Sequence, residues 1–180
     1  MTLNEIGIID RIVKGAFMKY LFTSFKGKNN SSYQLVSQIA GEKMFLTNSF
    51  EGLKRDIENC SDTYDMVVMF GLDKNLKNKV RIEKVAEYDG GIEITKLNIE
   101  IIKNVLTENE VECLISDMPT KYLCNAAYFH MLKKTDGKAV FIHIPSLKNM
   151  SEDMIKNIGN CLERSKHLLL RPYTTKVVRI

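Results

Sequence analysis

Short apolar runs alternate along this chain with stretches whose apolar positions recur at helical spacing. Ile6, Ile9, Val13 and Phe17 predict an amphipathic helix over residues 1–17. Met18 to Phe25 reads as a strand, and Met18 is also a plausible chain start. A Gly/Asn/Ser loop from Lys26 to Ser32 leads to a helix near Tyr33–Ile39 and a strand around Met44–Thr47. A helix over Phe50–Cys60 follows, with Asn48 or Ser49 placed to cap it. The clearest buried strand is Asp65–Gly71, continuously apolar over Met66-Val67-Val68-Met69-Phe70 and closed by glycine. Val80–Tyr88 reads as one strand, and Asp89-Gly90-Gly91 turns the chain. A helix over 97–108, a strand over Val111–Ser116, a helix over Lys121–Lys134 and a strand over Ala139–Ile144 come next. Ser151 caps a last helix to about Leu170, with Glu152 and Asp153 at its positive end.

Strands that alternate with helices predict a parallel sheet covered on both faces. The expected fold is a single-domain three-layer α/β/α sandwich with a largely parallel central sheet over residues 18–180, preceded by residues 1–17 as a helix or extension. At 180 residues, with 44% hydrophobic and 27% charged content, the chain has the composition of an ordinary soluble globular protein.

The net charge of +4 comes from 26 basic and 22 acidic residues and is spread out. Its densest part, Lys74, Lys77, Lys79 and Arg81, has no interleaved aromatic residue and reads as a solvated face. Nucleic acid is therefore not an expected partner. The spacing of Cys60, Cys113, Cys124 and Cys161 and of the three histidines fits no zinc site, and no cofactor or metal is expected. Glycine-rich nucleotide motifs are missing. Neither a signal peptide nor an apolar stretch of membrane-spanning length is visible, and the free thiols suit a reducing compartment, so the expected location is cytoplasmic.

Three short segments carry candidate chemistry. Cys124 falls in the first turn of a predicted helix, where free N–H groups and the helix dipole favour a thiolate and can hold an oxyanion. His143 closes the apolar strand that ends in Ile144-Pro145, at the carboxyl edge where such sheets bind ligands. Glu83 lies in Val80-Arg81-Ile82-Glu83-Lys84-Val85-Ala86. Taken singly, each reads more simply as a structural residue: a buried inert thiol, a core histidine, an exposed strand carboxylate.

Together they resemble the pyroglutamyl peptidases, a family of cysteine peptidases. The nucleophile segment of that family runs Ser-x-x-Ala-Gly-x-aromatic-x-Cys-Asn, and Ser116, Tyr122, Cys124 and Asn125 match it without a gap. Phe141, His143, Ile144 and Pro145 match the family's Phe-x-His-hydrophobic-Pro. Glu83, Val85 and Ala86 match Glu-Arg-Val-Ala, with Lys84 for the arginine. Thr23-Ser24-Phe25 and Asn30-Ser31-Ser32 resemble the family's first strand and the Asn-Pro-Ser after it, so the likeness runs from Met18 to about Glu152.

The resemblance implies Cys124 as nucleophile, His143 as general base and then acid, and Glu83 as the group that orients the imidazole. It implies a small peptide substrate with an N-terminal pyroglutamyl or related group, no cofactor, and possible homo-oligomers. Phe25, Asn30 and Leu72 fall at substrate-binding positions. Several departures fall on that pocket. Gly-Gln-Ala-Gly-Gly-Arg becomes Gly71-Leu72-Asp73 and onward, the family's Phe-Gly-Gly becomes Lys26-Gly27-Lys28, and Ala-Gly ahead of the nucleophile becomes Pro119-Thr120. The expectation is a kept triad in an altered pocket. The alternative is a non-catalytic relative that binds a peptide or a protein.

Overall fold

A computed structural model describes residues 19–61 and 63–165, with the side chains of 162–165 left aside. The expected leader helix, and the expected end of the last helix near Leu170, lie outside the described residues. Eight strands are described: β1 Tyr20–Phe25, β2 Glu42–Leu46, β3 Met66–Leu72, β4 Lys79–Glu83, β5 Val85–Tyr88, β6 Gly91–Ile94, β7 Glu112–Ser116 and β8 Ala139–Ile144. The helices are α1 Ser31–Gln38, α2 Phe50–Glu58, α3 Ile99–Glu108, α4 Leu123–Lys134 and α5 Glu152–Ser165.

Six strands form one sheet in the order β2-β1-β3-β8-β4-β7. All neighbours run parallel except β4 and β8. Helices α1, α3 and α5 cover one face, where Phe22, Phe70, Ile82 and Ile142 meet Val36, Ile102 and Ile158. Helices α2 and α4 cover the other, where Leu21, Met69 and Phe141 meet Leu53, Ile57 and Met131. The three-layer sandwich expected from the alternation of elements is therefore the fold. Local chemistry explains the helix starts: Asn30, Ser49 and Asn98 accept from backbone N–H groups of the first turns of α1, α2 and α3.

The segment read as one strand over Val80–Tyr88 is two. The break comes at Lys84, whose N–H donates to Ser116 O. Beyond it β5 leaves the main sheet and pairs with β6 in a hairpin turned by Asp89 and Gly90, at φ 51° and 73°. Two consecutive left-handed residues suit the tight turn that an Asp-Gly pair favours. The strand expected to start at Val111 starts at Glu112, and the helix expected to start at Lys121 starts at Leu123.

Gly71 shapes the carboxyl edge. A Cβ there would lie 2.6 Å from Phe141 Cε1 and 3.1 Å from His143 Cδ2. Both rings belong to the neighbouring strand, packed with centroids 4.8 Å apart. We expect Gly71→Ala to cost about 1–3 kcal/mol through overpacking, read as a lower denaturation midpoint at unchanged slope.

Candidate active site

Strand alternation decides what meets at the edge. Gly71 pairs with His143, Arg81 with His143, and Glu83 with Phe141. Residues two apart on a strand share a face, so Arg81, Glu83, Phe141 and His143 all face the α2/α4 layer. Across the antiparallel β4–β8 pair, Glu83 is the diagonal neighbour of His143. Its Oε1 lies 2.7 Å from His143 Nδ1. Both residues are buried, at 4% and 5% exposure. The carboxylate and ring nitrogen therefore bond away from water, with Nδ1 donating to the Glu83 carboxylate, which can only accept.

Cys124 is the second residue of α4. It lines one small cavity together with Glu83, His143, Thr120, Asn125 and Phe141. The structure thus brings the three residues singled out as catalytic to one place. The expected thiolate at the helix start does not follow, however. Burial pushes the Cys124 thiol up to about 12; its own backbone N–H opposes the rise, and the Glu83 and Asp73 carboxylates add to it. Desolvation of the charged form outweighs the helix terminus.

Asn125 has a structural part. Its side-chain amide donates to Glu87 O and its Oδ1 accepts from Glu87 N at 3.1 Å, so one side chain pairs both backbone groups of a β5 residue. Tyr128 Oη donates to Glu83 O at 3.0 Å. These bonds tie α4, and with it Cys124, to the segment that carries Glu83.

The three residues at substrate-binding positions lie elsewhere. Phe25 is buried in the core of the α2/α4 layer and is not among the cavity-lining residues. Asn30 caps α1, its Oδ1 accepting from Ser32 N and Ser32 Oγ at 3.0 and 2.8 Å. Leu72 sits one strand position past Gly71, opposite Ile144, and so on the face away from His143. The period of two thus puts Leu72 on the other side of the sheet from His143.

Two site residues were missed. Arg81, read as part of a solvated face, is mostly buried; its Nε donates to Glu83 Oε1 at 2.7 Å and a terminal nitrogen donates to Asp73 Oδ2 at 2.8 Å. Its other terminal nitrogen is 3.4 Å from His143 Nδ1. Burial acts to lower the guanidinium pKa, but Glu83 and Asp73 raise it. Burial likewise acts to raise Asp73, and the Asn75 N–H and Arg81 hold it below its ordinary value. The spacing of Arg81 and Glu83 within one strand was the available signal.

Among the described residues, no cluster of His, Cys, Asp and Glu has the makings of a metal site, and no helix is long and apolar enough to cross a membrane. No protein-family model matches the chain, and no curated protein matches it. Solved structures do. A mutant pyrrolidone carboxyl peptidase from Pyrococcus furiosus superposes with a TM-score of 0.74 at 19% identity, covering 85% of this chain and 100% of that one. The enzyme from Thermococcus litoralis gives 0.64 at 21% identity over 81% and 92%. That from Fervidobacterium islandicum AW-1 gives 0.65 at 16% over 84% and 98%. The chain therefore has the pyrrolidone carboxyl peptidase fold over most of its length, at an identity that marks wide divergence.

An acid whose pKa rises on folding stabilises the fold while protonated. That contribution is whole below the ordinary thiol value of 9.0 and is lost as pH climbs through about 12. The difference in thiolate absorbance between wild type and Cys124→Ser should accordingly be absent at neutral pH and emerge only above 9.0. The stability advantage of wild type over the serine variant should shrink over the same range.

Proposed function

We propose that this protein is a cysteine amidohydrolase of the pyroglutamyl-peptidase type, which removes a small N-terminal group from a peptide through Cys124, His143 and Glu83. The observation that carries the reading is the buried Glu83–His143 bond of 2.7 Å beside a cavity that Cys124 also lines. A histidine oriented by a carboxylate next to a thiol is the arrangement that nucleophilic acyl transfer needs. The likeness of fold to peptidases agrees with it. Cys113 and Cys124 are thiols outside any disulfide, as a reducing cytoplasm allows.

The buried thiol sets the order of events. A thiolate standing alone in this cavity is unfavourable, so His143 Nε2 takes the Cys124 proton as the sulfur attacks the substrate carbonyl. The backbone N–H groups at the start of α4 donate to the developing oxyanion. Collapse of the tetrahedral intermediate breaks the C–N bond, and the imidazolium returns its proton to the leaving amine. A water activated by the same imidazole then hydrolyses the thioester, releasing the acid and restoring the thiol. Glu83 holds the ring by Nδ1 throughout.

Specificity follows from the cavity walls. Val85 and Phe141 are apolar, and Thr120 Oγ1 is buried there with no hydrogen-bond partner in the protein. Of the buried hydroxyls without a partner, Thr120 is the one that lines this cavity, so it offers the polar contact to substrate that Leu72, an apolar residue, does not. The first-strand Phe25 supplies core rather than a pocket wall.

Turnover of pyroglutamyl-, alanyl- and prolyl-anilides by wild type and Cys124→Ala tests the assignment. We expect Cys124-dependent hydrolysis, with pyroglutamyl preferred yet turned over weakly for this fold. Thr120→Val should lower kcat/KM by roughly ten- to a hundredfold, the worth of about 1–3 kcal/mol for a stranded polar group. Equal rates for wild type and Cys124→Ala would remove the peptidase reading.

A further inference from the structure

We propose that Arg81, braced by Asp73, is a positioning residue that shares the Glu83 carboxylate with His143 and so restrains the imidazole from charging before substrate arrives. This rests on the reading of Cys124 and His143 as nucleophile and base.

The argument begins with one oxygen. Glu83 Oε1 accepts from Arg81 Nε and from His143 Nδ1, each at 2.7 Å. The guanidinium is permanently charged and bonded as a fork, one arm on Glu83 and one on Asp73 at 2.8 Å. Its remaining terminal nitrogen lies 3.4 Å from His143 Nδ1. The charged and titratable groups around the imidazole are thus Glu83 and Arg81 from β4, Asp73 just past β3, and Cys124 and Tyr128 from α4, which line the cavity with it.

The two carboxylates favour the imidazolium and the guanidinium opposes it. In an ordinary triad the acid alone faces the ring and stabilises its charged form. Here a cation is inserted against the same ring nitrogen. Arg81 keeps Glu83 fixed in place for orientation while offsetting its charge. Paired transfer of the Cys124 proton to His143 is thereby held back in the resting protein. Strand alternation places both Lys79 and Arg81 on the face of Glu83; Lys79 pairs with Glu112 on β7, and Arg81 is the one bonded to the Glu83 carboxylate.

The test is the pH dependence of Cys124 alkylation by iodoacetamide, followed by peptide mapping, in wild type, Arg81→Gln, Arg81→Lys and the double variant Arg81→Gln/Glu83→Gln. Thermal melts of each verify folding. A charge at this range moves a titrating partner by roughly one unit or more. Arg81→Gln should therefore label Cys124 about tenfold faster than wild type at neutral pH. Arg81→Lys, which keeps the charge, should stay near wild type. Removing Glu83 as well should cancel most of the gain. Identical pH profiles for wild type and a folded Arg81→Gln would overturn the inference, as would a gain in Arg81→Lys equal to that in Arg81→Gln. Anilide hydrolysis separates the two readings. A labelling shift without Cys124-dependent hydrolysis keeps the Arg81 assignment and removes the peptidase. Hydrolysis with no labelling shift does the reverse.

Discussion

A carboxylate with 4% of its surface exposed must be compensated where it stands. Glu83 meets that demand with two partners on a single oxygen, the Arg81 guanidinium and the His143 imidazole. Much of the edge follows from it. Arg81 in turn needs a second anion, and Asp73 at the end of β3 supplies it. Asp73 reaches that place because its N–H donates to Ile144 O at 2.9 Å, carrying the β3–β8 pairing one residue past the strand. The charges form a closed set, each bonded to the next across three strands. A buried ion pair of this kind gives no assurance of net stability. Its geometric consequence is clearer: the imidazole has one carboxylate oxygen to bond and one ring nitrogen left over.

The antiparallel seam between β4 and β8 makes that set possible. Were β4 parallel to β8, as β3 is, the residues flanking His143 would follow a different register. As built, Arg81 lies directly opposite His143 and Glu83 lies on the diagonal. The chain then has to leave the sheet at Lys84, and the β5–β6 hairpin hangs beside α4. Asn125 secures it there by pairing both backbone groups of Glu87. Cys124, next to Asn125 in the chain, is positioned by the same docking. The Cys-Asn pair that marks the sequence motif thus joins the proposed nucleophile to a residue of architecture.

Much of this was legible from the chain. Alternating apolar runs and helical stripes identify the layers because burial imposes those periods. The order of Glu83, Cys124 and His143, with their flanks, identifies the residues that converge. What escaped the reading depends on pairing rather than on period. Val80–Tyr88 is continuously strand-like, and only the Lys84 N–H bond to Ser116 O shows that it changes sheets. Leu72 aligns by motif with a pocket position, yet the pleat turns it to the opposite layer from His143. Arg81 looks like one more member of a basic cluster until β8 is laid beside it. Asn30 looks like a ligand contact, whereas capping α1 occupies its side-chain oxygen.

The buried thiol ties these observations to mechanism. Two features push in opposite directions at Cys124: a helix start that favours negative charge, and enclosure that penalises it. Enclosure prevails, with the nearby Glu83 and Asp73 carboxylates adding to the cost of a thiolate. Arg81 offsets those carboxylates at the imidazole, which it approaches to 3.4 Å, and so weakens the pull that would draw the proton across at rest. A thiolate at Cys124 is thus disfavoured by its enclosure and by the nearby carboxylates. Under the proposed peptidase reading, proton transfer is then best supported when a substrate carbonyl enters and accepts the electrons of the sulfur. On that reading activation would be coupled to occupancy of the cavity, through residues whose burial the fold requires.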